Sequence, residues 1–340
     1  MTHRAVARRH ARHSFTIDPH ANRFVRHEVF MRILIHADDA ALWKERLAAR
    51  LPDATFAISG ETRDFQADYL VAWKPPASLF DAQPALKGIV NLGAGVDALL
   101  NNPSLPQDIP IVKLRDAGMG ELIADYVRYG VLHFQRDFDR YRRQQHRAEW
   151  REHAVTPKRE WRVGVLGLGA IGLHVAQRLA DDGYPVHGWS RSPKAINGIT
   201  CHHGDDGLTT LLEQVHTLVT LLPDTPATRH VINHETLAAL PHGAGLINPG
   251  RGTLIDEAAL LEALGTGEEE NGRLRGAMLD AFPTEPLPGD SPLWSHPRLW
   301  ITPHMAGPTP VNEAAEQVAK ALGAMHAGEA IDTVDPKAGY

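Results

Sequence analysis

Three stretches toward the C-terminal end of the chain hold side chains that could work on a carboxylate-bearing substrate. The first is Ile247-Asn248-Pro249-Gly250-Arg251-Gly252, a strand end running into an arginine flanked by glycines. Such a turn projects one fixed cation at the carboxyl edge of a sheet, where open α/β sheets bind their ligands. A guanidinium there can hold a carboxylate in a two-point fork and polarise the neighbouring carbonyl. The second stretch, Met278 to Leu287, carries Asp280 and Glu285. The third, Ile301-Thr302-Pro303-His304-Met305-Ala306-Gly307, carries His304. Read alone, a histidine or a glutamate is more often structural than catalytic, so these two stretches need support from the rest of the chain.

That support starts with Gly167-Leu168-Gly169-Ala170-Ile171-Gly172. The loop follows the apolar run Trp161–Leu166 and precedes Leu173–Ala180, whose apolar residues have helical spacing. Strand, G-x-G-x-x-G and helix in this order form a dinucleotide-binding context. The first glycine allows a tight turn, the second lets backbone approach a pyrophosphate, and the third lets helix pack on strand. The phosphates then sit at the positive end of the helix, before free backbone N–H groups. The next strand ends His187-Gly188-Trp189-Ser190-Arg191-Ser192, with Lys194 close by. Dinucleotide units that take NAD normally place an acid there to hold the ribose 2′-hydroxyl. A hydroxyl and a guanidinium instead suit a 2′-phosphate, which predicts NADP(H) over NAD(H), with NAD(H) possible. Against this stands Arg191 as a merely solvated loop residue, or one stacked on adenine.

The chain that must position these groups has 340 residues, room for about two domains. Its 43% hydrophobic and 22% charged content is ordinary for a globular protein. A formal charge of −6 argues against nucleic-acid or membrane-surface binding. No apolar run reaches the roughly 18 residues of a transmembrane helix. The single cysteine, Cys201, excludes an internal disulfide framework, fits a reducing compartment and reads as a small half-buried residue. No Cys/His spacing suggests a zinc site, so no metal is expected. Residues 1–30 are rich in Arg and His and poor in acids. They lack the apolar core of a secretory signal and loosely suggest a transit peptide; the preferred reading is a disordered extension or an upstream start codon.

From Met31 onward strands and helices alternate. Strands are expected at Met31–His36, Tyr69–Trp73, Gly88–Leu92 and Ile111–Leu114, with a helix over Ala40–Leu51. Gly118 to Tyr141 is amphipathic and reads as one long interdomain helix, followed by a basic, aromatic-bearing piece to Trp161. A second series follows: Val163–Leu166, Pro185–Trp189, Thr217–Leu222, Gly245–Asn248, Gly276–Leu279 and Trp300–Thr302. Helices between them are expected after Gly169, around Thr209–Gln214 and Glu235–Leu240, and over Asp256–Leu264; a last one spans Pro310–Ala327. Gly265–Gly272, with Glu268-Glu269-Glu270, reads as an acidic surface loop. The fold class is α/β, with two Rossmann-like domains: a doubly wound cofactor domain over 117–307 and a smaller, flavodoxin-like substrate domain over 31–116 plus 308–340.

Arg251 in N-P-x-R-G, Asp280 with Glu285 five residues on, and His304 in T-P-H together resemble the signature of the D-isomer-specific 2-hydroxyacid dehydrogenases. The resemblance runs from about Met31 to the C-terminus. It includes Gly93-Ala94-Gly95-Val96-Asp97, the glycine loop and Leu221-Leu222-Pro223-Asp224-Thr225-Pro226. Trp73-Lys74-Pro75-Pro76, Asp116-Ala117-Gly118-Met119-Gly120-Glu121 and Trp189-Ser190-Arg191-Ser192 are most similar to the glyoxylate/hydroxypyruvate reductase A branch. Gly250 stands where many relatives have alanine, which would loosen the arginine turn slightly.

The resemblance implies catalytic roles for Arg251, Glu285 and His304. His304 would act as acid/base and Glu285 would fix its tautomer and favour its charged form. The amides of Ala94, Gly95 and Val96 would form a nest for the substrate carboxylate, which Arg251 clamps. Gly167, Gly169, Ala170, Ile171, Gly172, Ser190, Arg191, Ser192, Leu222, Pro223 and Asp280 would contact the cofactor, Asp280 near the nicotinamide. Trp73 and Met119 are candidates for the substrate pocket, with a core role for Trp73 equally open. The implied reaction is NADPH-dependent reduction of glyoxylate and hydroxypyruvate to glycolate and D-glycerate, giving the (R)-hydroxy acid, in a cytoplasmic homodimer. Two alternatives stay open: another substrate (D-lactate, phosphoglycerate, 2-ketogluconate) and a non-catalytic dinucleotide-sensing scaffold.

Overall fold

Short runs of Ile, Leu and Val, cut by Pro and Gly, become strands buried on both faces. In the computed structural model, which describes residues 30–62, 64–266 and 272–339, they assemble into two parallel sheets. The extension expected over residues 1–30 lies outside the described residues apart from Phe30, as does the acidic segment 268–270.

The first sheet contains β1 (Arg32–His36), β2 (Thr55–Ile58), β3 (Tyr69–Ala72), β4 (Gly88–Asn91) and β5 (Ile111–Lys113) in the order β2-β1-β3-β4-β5. Its helices are α1 (Ala40–Ala48), α2 (Ala77–Asp81) and α3 (Asp97–Leu100). The register sets Ile35 beside Val71 and Val71 beside Val90, so the branched side chains stack across the sheet. Asp68 ties the start of β1 to β3. It accepts from the Arg32 amide at 3.0 Å and guanidinium at 3.2 Å, and lies 2.9 Å from the Lys87 ammonium. Strand β2, Thr-Phe-Ala-Ile, is not among the expected strands: it is an edge strand of four residues with one neighbour. The order is flavodoxin-like, and its reversal between β1 and β3 opens a crevice at the carboxyl ends of the strands. Trp73 and Lys74 leave β3 at that edge, and Gly93–Asp97 leaves β4 beside them.

Three successive residues with left-handed backbone, Asp116 (φ 56°), Ala117 (φ 52°) and Gly118 (φ 87°), turn the chain out of the first sheet. The Asp116 carboxylate closes the turn by accepting from the Gly120 amide at 2.7 Å. Helix α4 (Met119–Gln135) follows, with Ile123, Val127, Val131 and Phe134 on its buried face. The expected single helix to Tyr141 is in fact two. It breaks at Asp137 (φ 57°), and α5 begins at Phe138 and ends at His146. The cause is Arg275, buried deep in the second sheet, which draws in Asp137 at 2.6 Å and also Asp139. Turning two successive acids toward one buried cation is incompatible with a straight helix there.

The second sheet contains β6 (Val163–Leu166), β7 (Val186–Ser190), β8 (Ile199–His203), β9 (Thr217–Thr220), β10 (Ala244–Asn248), β11 (Leu274–Leu279) and β12 (Leu299–Ile301). Its order is β12-β11-β10-β9-β6-β7-β8, the doubly wound arrangement, with the reversal between β6 and β9. Helices α6 (Ala170–Asp181), α7 (Gly204–Leu212), α8 (His234–Ala239) and α9 (Glu257–Leu264) connect the strands. Strand β8, Ile-Thr-Cys-His-His, was not foreseen. It is an edge strand with a polar sequence, and its His202 Nε2 lies 3.1 Å from Nδ1 of His187 on β7. The expected helix around Thr209 begins earlier, at Gly204. Finally α10 (Val311–Ala327) packs on α1 and β4, and Val334 donates its amide to the Ile111 carbonyl at 2.8 Å. The C-terminal segment thus returns to the first sheet.

Candidate active site

Arg251 owes its position to the end of β10. Asn248 is fully buried and its side chain pins the turn: Nδ2 donates to the Arg251 carbonyl at 3.0 Å, while Oδ1 accepts from Thr220 Oγ1 at 2.6 Å and the Gly250 amide at 3.2 Å. Gly250, where a looser turn was expected, fits closely, since a Cβ there would lie 2.7 Å from the Thr220 carbonyl oxygen. The guanidinium Nε donates to Asp97 Oδ1 at 2.9 Å and NH1 to the Gly250 carbonyl at 2.9 Å. Its NH2 lies against Gly95, 1.4 Å from where a Cβ would sit, so a side chain there would push the guanidinium aside. Arg251 and the Gly93–Val96 loop, from different sheets, therefore meet. Asn91 shapes that loop, its side-chain amide donating to the carbonyls of Gly93 and Gly95 at 2.9 Å each.

His304 sits in a loop stapled by Asp280. That carboxylate is wholly buried and accepts from Thr302 Oγ1 at 2.6 Å and from the amides of Met305 and Ala306 at 2.9 Å each. The His304 amide donates to the Asp280 carbonyl at 2.8 Å, and His304 itself is left-handed (φ 52°). Tyr126 on α4 braces the loop, its hydroxyl 2.9 Å from Thr302 Oγ1, and burial pushes that phenol up to about 12. The structure thus places Asp280 beneath the histidine as a support for its loop.

The His304 Nδ1 lies 2.8 and 2.9 Å from the two carboxylate oxygens of Glu285, with the histidine side chain about one-third exposed (33%) and the glutamate 24% exposed. Glu285 Oε1 also accepts from the Phe282 amide at 3.2 Å, and Oε2 is 3.5 Å from the Lys74 ammonium. Burial pushes the Glu285 carboxyl up, but the His304 and Phe282 hydrogen bonds and the His304 and Lys74 charges outweigh it and hold it below the usual range. Trp73 is half-buried, its ring over Gly93, where a Cβ would lie 2.2 Å from it. Met119 is buried in the core, with the Thr309 hydroxyl 3.6 Å from its sulfur. Ala94 and Gly95 are half-buried and Val96 is buried.

The family model for the D-isomer specific 2-hydroxyacid dehydrogenase NAD-binding domain matches residues 129–306, just over half of the chain. The chain belongs to the D-isomer specific 2-hydroxyacid dehydrogenase family. It is 39% identical over 308 residues to glyoxylate/hydroxypyruvate reductase A of Serratia proteamaculans (strain 568), covering 89% of this chain and 97% of that one. A D-isomer specific 2-hydroxyacid dehydrogenase from Xanthobacter autotrophicus Py2, solved in complex with NADPH and MES, is 39% identical with a TM-score of 0.83 over 91% of this chain and 99% of that one. The NADPH-dependent glyoxylate/hydroxypyruvate reductase from Sinorhizobium meliloti, in complex with NADP and sulfate, is 32% identical with a TM-score of 0.83 over 91% of this chain and 100% of that one.

A member of this dehydrogenase family needs a cradle for a dinucleotide, and the glycine loop has the form of one. Gly167 (φ 101°) lies where a Cβ would meet the Leu221 carbonyl oxygen at 2.5 Å, and a Cβ on Gly172 would lie 1.8 Å from the Gly167 oxygen. Around Gly169, by contrast, a Cβ would meet nothing within 4 Å. The loop is closed toward the protein and bare at the head of α6, where Ala170 and Ile171 open the helix, so a pyrophosphate fits there. At the end of β7, Ser190 is buried and its hydroxyl donates to the Ser192 carbonyl at 2.9 Å, while Arg191 and Ser192 are exposed. Lys194 Nζ reaches back to the Leu168 carbonyl at 2.6 Å, tying this turn to the glycine loop. Leu222 is buried and Pro223 exposed at the end of β9.

Four residues that matter here escaped the sequence reading as individuals: Lys74, Asn91, Asp97 and Asn248. Lys74, Asp97 and Asn248 lie within stretches quoted for their motifs, and Asn91 within the strand expected over Gly88–Leu92. What each contacts depends on a partner from a distant segment or on the local path of the backbone, and spacing does not report that.

Proposed function

We propose that this chain reduces glyoxylate and hydroxypyruvate to glycolate and D-glycerate with NADPH, giving the (R)-2-hydroxy acid. The observation that carries the reading is the convergence of Arg251, the Gly93–Val96 loop and the Glu285–His304 pair at the facing edges of the two sheets. The curated relative named glyoxylate/hydroxypyruvate reductase A and the NADPH and NADP complexes of the similar structures support it.

NADPH, when bound, supplies the hydride for the carbonyl carbon. Gly167–Gly172 would hold its pyrophosphate, with Leu222 and Pro223 alongside. Ser190, Arg191 and Ser192 would form its 2′-phosphate site, Ser190 through the shape of the turn. Arg251 and the amides of Ala94, Gly95 and Val96 hold the substrate carboxylate, and the guanidinium stabilises the negative charge that grows on the carbonyl oxygen. Glu285 keeps the proton on Nδ1 of His304, so Nε2 faces the substrate as acid in reduction and as base in the reverse direction. Asp280 keeps the His304 loop in place. Trp73 narrows the pocket toward small keto acids.

The domain boundaries proposed from sequence, 31–116 plus 308–340 for substrate and 117–307 for cofactor, are supported by the packing of α10 on α1 and of α4 on α6. A homodimer is proposed from the apolar surface that Leu122, Tyr129, Leu132, Phe138, Trp150 and Val155 expose. A cytoplasmic site agrees with the lone thiol of Cys201, and no helix among the described residues is long and apolar enough to cross a membrane.

A steady-state screen of small 2-keto acids with NADPH and NADH tests the reading. Glyoxylate and hydroxypyruvate are expected to give the highest kcat/KM, with NADPH preferred. Absence of NADPH oxidation with every 2-keto acid would sink it.

A further inference from the structure

The ion pairs Asp97–Arg251 and Lys74–Glu285 link the two sheets' loops in opposite senses. Asp97, in the first turn of α3, meets Arg251 of the seven-stranded domain at 2.9 Å. Lys74, just past β3, meets Glu285 of that same domain at 3.5 Å. In each pair the five-stranded domain brings a charge to a residue assigned above to the reaction. The Lys74 backbone is left-handed (φ 45°) immediately before Pro75, a position where that conformation is disfavoured for a side-chain-bearing residue. His304, on the other side of Glu285, is left-handed too (φ 52°). Such residues persist only where their surroundings over-determine them, and they gather at functional sites. The Lys74 ammonium is further held 5.6 Å from the centre of the Trp73 ring.

The Glu285 carboxylate is therefore shared, one edge to an imidazole and one oxygen to an ammonium. A cation beside a carboxylate favours its charged form and takes part of its field away from any other partner. We propose that Lys74 is a positioning residue for the Glu285–His304 pair: its ammonium keeps the carboxylate ionised into acid and limits how much of that charge the imidazole feels. The proposal rests on the assignment of His304 and Glu285 as the acid/base pair. Because Lys74 and Glu285 belong to different domains, this charge balance is complete only while the domains are together.

The direct test is a titration of Glu285 by NMR in cofactor-free protein, using glutamate labelled with carbon-13 at the δ-carboxyl and Glu285→Gln to assign the signal. The carboxyl is held low in the wild type, so it is ionised at neutral pH and loses its charge only in acid. In Lys74→Met its midpoint should rise by about half a pH unit. It should return in Lys74→Arg. The acid limb of the kcat/KM profile for glyoxylate should move by the same amount in the same direction. If Lys74→Met does not fold, Lys74→Gly removes the same charge and suits the left-handed backbone. An unmoved Glu285 midpoint overturns the proposal. So does a raised keto-acid KM with an unmoved midpoint, which would make Lys74 a substrate contact. A wild type that turns over no 2-keto acid would overturn the proposed function and leave the midpoint comparison standing.

Discussion

Two arginines, one on β11 and one just past its neighbour β10, are paired with aspartates from distant segments, and they do opposite things. Arg275, within β11, is enclosed: its side chain is 7% exposed, with carboxylates of similar burial from Asp137 and Asp139 around it. Burial pulls its charge down, but the two aspartates outweigh that and hold it firmly protonated. Arg251, just past β10, is 20% exposed and shares one carboxylate, Asp97, which is itself 25% exposed. The first guanidinium meets two carboxylates in a dry setting. The second stays at the edge of an open crevice, within reach of an arriving carboxylate. The same pairing chemistry becomes scaffold or site according to how completely it is saturated and how dry it is. Substitutions in the enclosed cluster should then harm the fold and spare the rate, and those in the open cluster the reverse.

The largest effect is expected at the open end, from His304→Gln. Glutamine cannot act as the acid proposed for His304, so kcat for glyoxylate should fall about a thousandfold, roughly 4 kcal/mol of barrier. NADPH affinity by fluorescence titration and the melting temperature should hold. A loss of both together with activity would mean that His304 supports the fold, and the contrast would collapse.

Arg275→Met is the reciprocal change. It takes away the buried cation that joins Asp137 and Asp139 and leaves them only Arg140 at 3.3 Å and Arg143 at 3.5 Å, a defect of up to about 3 kcal/mol in unfolding free energy by urea titration. The kcat per folded molecule should stay at the wild-type value. An unchanged urea midpoint would show that the buried cluster carries no stability.

The contrast also marks what could be read from the sequence. The glycine loop, the alternation of strands and helices and the Arg251, Glu285 and His304 stretches were readable because each is a local pattern in the chain. The helix break at Asp137 was not, because its cause is Arg275, far along the chain, and Gly118–Tyr141 is amphipathic throughout. Strands β2 and β8 are hard to read because both are edge strands, β2 only four residues long and β8 largely polar. Asp280 shows the limit from the other side. Its motif was recognised, but the stapling of residues 302–306 by its carboxylate appears only when the loop is folded around it. Met119 likewise was a pocket candidate by position, and it lies in the core.

The smallest effect is expected at Arg191, which is exposed where Arg251 is half-buried and Arg275 is buried. Arg191 stands at the surface end of β7, beside a buried Ser190 whose hydroxyl shapes the turn by donating to the Ser192 carbonyl. A charge-assisted contact to a 2′-phosphate at a solvated edge is worth less than one in a dry site, so Arg191→Ala should reduce the preference for NADPH over NADH by about tenfold, near 1.4 kcal/mol. The KM for NADPH should rise while that for NADH, the keto-acid KM and the melting temperature stay put. The added loss should shrink as salt rises, because a solvated ion pair is screened. Ser190→Asp sharpens the point: a carboxylate at the strand end would repel a 2′-phosphate and accept from a ribose hydroxyl, moving the preference toward NADH. If Arg191→Ala leaves the preference intact, the discriminating charge lies elsewhere on this turn. Lys194, bound to the Leu168 carbonyl of the glycine loop, is then the next residue to change.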